Sequence, residues 1–537
     1  MSFLKNHSKF LLLLLVLGAG ILITAPYANF QTFLSQGDHG RDLYAAQAVY
    51  RGELPYRDFW WDYGPLMPYY YGLFFKIFGT HVSSVILGEL LLRIFGGILV
   101  YLGLVEICSE LAAFLCSCWF MFFQPEFFFT YNHMGGIVMI LGVTSCLLSY
   151  IQRNSLKAAW GALGFIFTLC LIKINFGLAA LAVSVITVGV CDCVRRIPIS
   201  PSKKIFYAFA FLGLPLLLFY IYWSLLKGLS LTEIRQCLPY MEGDQPYTSS
   251  LWGAINVFFH MIFRMIISNW TSFVLAVIIN ASALRCFYLF AKNKLSAERK
   301  TIFILSLGML SLFYLANLHE YLKSAVWYRA FWSQPFSILI TFLFIDIASQ
   351  SIPKIFRKII FSFLTILLLC LWLSVLINSK TLKTENQYLS TPRGGIYITN
   401  SPSWIATVEQ TTEFLNKTLK PHELFFALPY DCLYYYLTDR KSPTRQLIFF
   451  EHIKISTEQE KSMIADLEKK HVNYILLSNR AFVPQKRELG MLGTTYCPLI
   501  GKYIENNFAP LTRFGDWTND PGWAWNHGTF ILKRKGI

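Results

Sequence analysis

Residues 37–70 read GDHGRDLYAAQAVYRGELPYRDFWWDYGPLMPYY and gather four aspartates (Asp38, Asp42, Asp58, Asp62), three arginines (Arg41, Arg51, Arg57) and many aromatic rings behind a run of leucines. A positioned carboxylate can accept a proton from an attacking group, and guanidinium forks match the oxygens of carboxylates and phosphates two at a time. The same stretch would serve equally as a solvated connector anchored by its rings at a membrane surface, where charge costs little. Two details favour a built structure over a connector. Gly37, Gly40, Gly52 and Gly64 with Pro55 and Pro65 specify backbone turns. YGPLMPYYYGLFFKIFG (63–79) is amphipathic and too short to span a bilayer, which predicts a helix lying along the interface.

Further charges stand where apolar runs meet. Lys173, in LIKINFG, has no acid beside it in sequence, so it either snorkels to a surface or binds an anion. LHEYLKSAVWYRAFW (318–332) carries His319, Glu320, Lys323 and Arg329; a cap or surface pair explains His319 and Glu320 as well as direct chemistry does. Glu89 and Arg93 share one helix face and can pair, and Glu126, Asn132 and His133 cluster at another turn. His39 and His133 are too scattered to argue for a metal, and Cys191 and Cys193 lack partner ligands, so no metal site is expected.

The elements that hold these residues follow from composition. Of 537 residues, 55% are hydrophobic and 15% charged, the signature of an integral membrane protein. About eleven apolar stretches reach the length a bilayer core demands: 9–27, 83–105, 110–130, 133–151, 155–172, 174–194, 204–226, 268–290, 300–318, 325–348 and 357–378. The net charge of +16 resides largely in short basic clusters between these runs, so it reads as topology information and not as a nucleic-acid footprint. Lys5 and Lys9 place the N-terminus in the cytoplasm. Alternation then puts Arg153/Lys157, Arg195/Arg196/Lys203/Lys204, Lys292/Lys294/Arg299/Lys300 and Lys354/Arg357/Lys358 inside. The same threading sends residues 28–82, the turns near 131, 173 and 319–324, residues 227–267 and the tail from 379 to the outer face. TAPYA, after the first run, loosely resembles a signal-peptide cleavage site, although an uncleaved anchor suits the run as well.

From residue 379 the composition turns polar. Helix 404–419, strand 423–428, another helix, and a capped helix leading into strand 472–477 predict a small extracytoplasmic α/β domain over 379–537, behind a transmembrane catalytic domain over 1–378. The tail contains no phosphate-binding glycine loop, nucleophile elbow or metal-ligand spacing.

The order of an N-terminal span, the acidic GDHGRD loop, RGELPYRDFWWDYGPL, an interfacial helix ending KIFG, many spans and an outer soluble domain resembles the GT-C class of glycosyltransferases, which use polyprenyl-phosphate sugars. Bacterial and protein-O-mannosyltransferase-like members are the most similar. The likeness covers most of the chain in architecture and is concentrated, residue by residue, in 36–79. It implies that Asp38 is the catalytic base; where many members carry Asp-Glu this chain has Asp38-His39, so the second acid is missing unless Asp42 takes its place. It implies that the leaving phosphate meets cations, for which Arg41, Arg57, Lys173, His319, Lys323 and Arg329 are the candidates. Arg41 and Arg57 could instead pair with Asp42, Asp58 or Asp62, and Asp58 and Asp62 either hold the loop or sit near the acceptor.

The function so implied is transfer, with inversion as the class expectation, of a hexosyl or pentosyl group from a polyprenyl-phosphate donor to a lipid, glycan or protein acceptor. It would take place at the outer face of the inner membrane by a multi-pass protein of the cell envelope. The resemblance leaves the cofactor open between none and the divalent cation that some members use, and the partners it implies are the donor, the acceptor and membrane lipids, with no nucleic acid. The alternative is a transporter or flippase for a lipid-linked or polar substrate, which should show ionisable groups or broken helices at mid-membrane and an internal repeat. The charges instead collect at one surface.

Overall fold

The structure is a computed structural model that describes residues 2–24, 34–122, 132–238, 251–268, 270–292, 294–324, 327–384, 387–482, 489–522 and 525–536. The apolar runs are helical because a chain in lipid must satisfy its own backbone hydrogen bonds. In order they are α1 (Ser2–Thr24), α2 (Asp38–Tyr50), α3 (Leu66–Phe78), α4 (Val82–Leu104), α5 (Glu110–Phe122), α6 (Asn132–Arg153), α7 (Leu156–Cys170), α8 (Ile174–Val194), α9 (Pro201–Ala208) and α10 (Leu214–Leu226). There follow α11 (Leu231–Cys237), α12 (Leu251–Ser268), α13 (Trp270–Ala291), α14 (Ala297–Ala316), α15 (His319–Ser324), α16 (Gln334–Gln350) and α17 (Lys354–Thr384). A π-helical turn, Phe209–Gly213, joins α9 to α10 in one apolar rod.

Among the described residues six helices are long and apolar enough to cross a membrane: Val82–Leu104, His133–Arg153, Ile174–Val194, Pro201–Leu226, Ala297–Leu322 and Lys354–Ile377. Shorter apolar helices occupy Leu11–Thr24, Glu110–Phe122, Leu156–Cys170, Val277–Phe290 and Gln334–Gln350, so each expected span has a helix. The span expected over 325–348 starts late: Trp327–Trp332 is a 3-10 turn, and Pro335 sits in the first turn of α16. Residues 123–131, including Glu126, lie outside the described residues. On α10, Leu216, Phe219, Tyr220 and Trp223 face outward, as they do on a helix solvated by lipid.

The expected interfacial helix is α3. Tyr69, Leu73 and Ile77, four residues apart, form an exposed apolar stripe, while Met67, Tyr71 and Phe75 are buried.

The C-terminal region holds a short ribbon, β1 (Tyr388–Leu389) with β2 (Ile396–Tyr397), then α18 (Pro402–Thr418), β3 (Phe425–Leu428), α19 (Cys432–Leu437), α20 (Thr457–Lys469), β4 (Tyr474–Ser478), α21 (Pro498–Asn507), β5 (Phe508–Gly515) and β6 (Gly528–Arg534). Ser456 and Gln459 close a capping box at the start of α20. The sheet order is β3-β4-β6-β5; β3 and β4 are parallel, Phe425 opposite Tyr474, and buried along their whole length. The β5–β6 hairpin adds an antiparallel half that helix–strand alternation does not predict.

This region is stitched to the segment that follows α1. The Leu34 N–H donates to Asn400 Oδ1 at 3.0 Å, the Leu433 N–H to the Gln36 carbonyl at 3.1 Å, and the Trp60 N–H to the Arg445 carbonyl at 2.8 Å. Gly40 is required where α2 meets α19, because a Cβ there would lie 2.3 Å from the Leu433 nitrogen.

Candidate active site

Asp38 is the first residue of α2 and is partly buried. The turn that sets it is closed reciprocally: the His39 N–H donates to Ser35 Oγ at 3.2 Å, and the Ser35 N–H donates to His39 Nδ1 at 3.0 Å. His39, standing where the resemblance expects a second acid, is thus part of that turn.

One turn on, Arg41 is buried with Nε at 3.0 Å and Nη2 at 2.9 Å from Asp42 Oδ1, and Nη1 at 3.0 Å from Asp62 Oδ1. Of the two readings open for Arg41, the structure adopts carboxylate pairing. Burial pushes the Asp42 carboxyl up to about 7 against the pull of Arg41. Burial also raises Asp62, opposed by Arg41 and, more weakly, by Lys173. Arg57 and Asp58 form an exposed pair at 2.8 Å, and Asp58 Oδ2 accepts from the Leu54 N–H at 2.8 Å, so these two hold the loop. Asp38 alone of the four aspartates has no cation at ion-pair distance among the described residues; it accepts at 3.0 Å from the Tyr430 hydroxyl.

The loop between α2 and α3 carries Tyr63 to a second cluster. The Gly64 N–H donates to the Ile172 carbonyl at 2.8 Å and the Leu66 N–H to the Leu171 carbonyl at 2.9 Å. The approach is so close that a Cβ on Gly64 would lie 2.2 Å from the Leu171 oxygen. The Tyr63 ring consequently faces two cations, Arg41 at 4.8 Å and Lys173 at 5.5 Å. Lys173 Nζ meets Glu320 Oε1 at 2.6 Å and lies 5.1 Å from each of the Phe176 and Trp332 rings, which are stacked 3.8 Å apart.

His133 reaches the same place, its ring 5.9 Å from Tyr63 and 5.3 Å from Trp332. His319 is fixed as the Nδ1–H tautomer, with Nδ1 donating to the Ala316 carbonyl at 2.7 Å and Nε2 accepting from Asn175 at 2.7 Å. Arg329 is partly exposed, and its charge acts on Lys173, Glu320 and His133. The backbone of Lys323 lies in α15, but its side chain is outside the described residues. Glu89, expected to pair with Arg93, accepts from the Tyr71 hydroxyl and feels Arg93 as well. Among the described residues no three His, Cys, Asp or Glu side chains are grouped to hold a metal ion.

Next in the chain to Lys173, Ile172 helps line an apolar cavity of about 540 Å³, walled by α3, α4, α6 and α7. Leu66 and Ile172, whose backbones join the loop to the α7–α8 junction, are part of its lining, with Met67, Leu92, Phe95 and Met139.

No protein-family model matches the chain, and no curated protein matches it. Solved structures do. ArnT from Cupriavidus metallidurans, bound to undecaprenyl phosphate, superposes with a TM-score of 0.57 over 98% of each chain at 10% identity. The fold is the GT-C fold. At that identity the likeness speaks for the GT-C architecture alone. Two further structures are similar at a TM-score of 0.48. The archaeal oligosaccharyltransferase AglB from Archaeoglobus fulgidus matches with 11% identity over 89% of this chain and 70% of its own. The mycobacterial arabinofuranosyltransferase AftD matches with 12% identity over 97% of this chain and 39% of its own.

Of the residues the resemblance pointed to, the structure joins Arg41 to Asp42 and Asp62, sets Lys173 across the Tyr63 ring from Arg41, and links His319 to the Lys173–Glu320 pair through Asn175, whereas Arg57 and Asp58 stand apart in their exposed turn. Sequence reasoning missed Tyr63, Asn175, Trp332 and Tyr430. The first three sit within or beside the stretches it singled out; Tyr430, 392 residues from Asp38, carries no local signal.

Proposed function

We propose that the chain is a membrane glycosyltransferase that moves a sugar from a polyprenyl phosphate to a hydroxyl of a lipid, glycan or protein on the outer face of the membrane. The observation that carries this reading is a carboxylate, Asp38, with no cation at ion-pair distance among the described residues, near a buried lysine whose chain neighbour Ile172 lines an apolar cavity.

In this reading the acceptor oxygen attacks the anomeric carbon as the bond from that carbon to the phosphate oxygen breaks, and Asp38 takes the acceptor proton. Attack opposite the leaving group inverts the anomeric centre. The phosphate departs with its polyprenyl chain and both electrons of the broken bond. Lys173 and Arg329 supply the charge to receive it, with Lys173 exchanging its contact to Glu320 for the phosphate. Arg41 is a positioning residue: it engages Asp42 and Asp62 and so leaves Asp38 as the reacting base. The cavity lined by Leu66, Met139 and Ile172 suits the first isoprene units of the donor. The lipid-bound ArnT structure and the basic loops that thread residues 34–65 to the outer face support the donor class and the side.

The test is transfer by the purified protein from a panel of undecaprenyl-phosphate hexoses and pentoses, with an envelope extract as the source of acceptor. Conversion of one of these donors is expected; no conversion of any, by protein shown to be folded, would contradict the reading.

A further inference from the structure

We infer that Tyr430, carried by the C-terminal region, is a positioning residue that fixes the Asp38 carboxylate, so that the helical bundle and the C-terminal region share one reacting site. The inference rests on Asp38 being the base, as proposed above.

Among the four aspartates of the loop, three are held by guanidinium groups, whereas Asp38 Oδ1 is held by the Tyr430 hydroxyl at 3.0 Å. A short carboxylate side chain otherwise turns readily about its terminal torsion. The phenol prevents this only if it is itself immobile, and it is. Tyr430 is 1% exposed, and its ring meets Phe450 edge-on at 6.0 Å. It follows Pro429, whose carbonyl accepts from the Phe449 N–H at 3.0 Å, directly after β3.

The backbone on either side is pinned to α2 as well, through the Leu433 N–H to the Gln36 carbonyl and the tight contact of Gly40 with Leu433. Burial pushes the phenol above its ordinary range, opposed by Arg41, so it remains protonated and donating at neutral pH. The hydroxyl occupies Oδ1 and leaves Oδ2 for the incoming hydroxyl. The acceptor proton then moves to Oδ2 while the bond from Tyr430 persists, and Tyr430 gains and loses nothing.

The experiment compares full-length wild type with Tyr430→Phe, Tyr434→Phe and Asp38→Asn in the undecaprenyl-phosphate-sugar transfer assay, with unfolding temperatures measured beside it. Tyr434, four residues on in α19, bonds His527 at 2.8 Å, so its variant controls for loss of a buried hydroxyl from the same segment. Tyr430→Phe is expected to lower kcat about 10- to 100-fold, the scale of a mispositioned reacting group, with the donor KM and unfolding temperature unchanged. Tyr434→Phe should keep the wild-type kcat.

Wild-type kcat in Tyr430→Phe, a raised KM with kcat intact, an equal loss in both tyrosine variants, or a Tyr430→Phe protein that does not fold would each overturn the inference. In the last case the hydroxyl would be supporting structure and not the carboxylate. An inactive Asp38→Asn beside an unimpaired Tyr430→Phe refutes only the role of Tyr430; an active Asp38→Asn refutes the base assignment and this inference with it.

Discussion

Replacing Lys173 with methionine separates what this lysine does for the fold from what it does for the donor. The ammonium is 5% exposed at its side chain and lies 2.6 Å from a carboxylate that is 9% exposed. Methionine fills much of the same volume but takes the ammonium away from the buried Glu320 carboxylate, which also accepts from the Asn175 amide at 3.3 Å. Removing one partner of such a pair costs about 3–5 kcal/mol, whereas replacing both groups together is often nearly neutral. Lys173→Met should therefore lower the thermal unfolding midpoint in detergent, and Lys173→Met/Glu320→Gln should recover most of it. Activity should not recover with stability. A charge-assisted hydrogen bond to phosphate is worth about 1.5–3 kcal/mol, so both variants should show a donor KM raised roughly 10- to 150-fold. A double variant that regains wild-type stability and also the wild-type donor KM would refute Lys173 as a phosphate contact and leave it a structural pair.

Other consequences are open to measurement. Burial holds His527 down at about 3, with Arg480 acting in the same direction, so below pH 6.5 the unfolded chain binds a proton that the folded chain refuses. Stability from this group is complete above pH 6.5 and falls by about 1.4 kcal/mol per pH unit toward 3. Burial raises Asp431, 4.0 Å away, to about 6, which works in the opposite sense, so the contribution of His527 is read as the difference from His527→Gln. That variant should flatten the acid side of the stability profile, and an unchanged profile would count against a neutral buried His527. Met139→Trp narrows the apolar cavity at a cost of about 1–3 kcal/mol to whatever fills it. Because the cavity is assigned to the first isoprene units, the KM for undecaprenyl and short-prenyl donors alike should rise roughly tenfold; an unchanged KM for both would remove the cavity from the donor's path. Arg57, 55% exposed at its side chain, offers a test of sidedness. Arg57→Cys should react with an impermeant maleimide in intact cells above the wild-type background, and labelling only after permeabilisation would invert the assigned topology.

What the sequence made legible follows its physics. Helices in lipid leave long apolar runs, so a helix was found for each expected span, and the GT-C resemblance could be drawn from the charged, turn-rich stretch behind the first of them. α3 was readable because its apolar residues repeat at helical spacing with Lys76 near its end. The β5–β6 hairpin was not, since β5 alternates buried and exposed residues only weakly and the turn region lacks a two-residue hairpin signal. At the site, residue type was visible but partnership was not. Arg41 could have met a phosphate or Asp42, and only the fold shows that it bonds both Asp42 and Asp62. Lys173 appeared to have no acid beside it because Glu320 comes from α15, far along the chain. Tyr430 was hidden for the same reason, one tyrosine among 29 until β3 delivers it to Asp38.

The central claim is that the Asp38 carboxylate removes the acceptor proton, and single-turnover transfer by Asp38→Asn measures this most directly. Asparagine keeps the size of the side chain and cannot act as the base. With donor bound as tightly as by wild type, the transfer rate should fall about 10²- to 10⁴-fold. Transfer by Asp38→Asn at the wild-type rate would contradict the account.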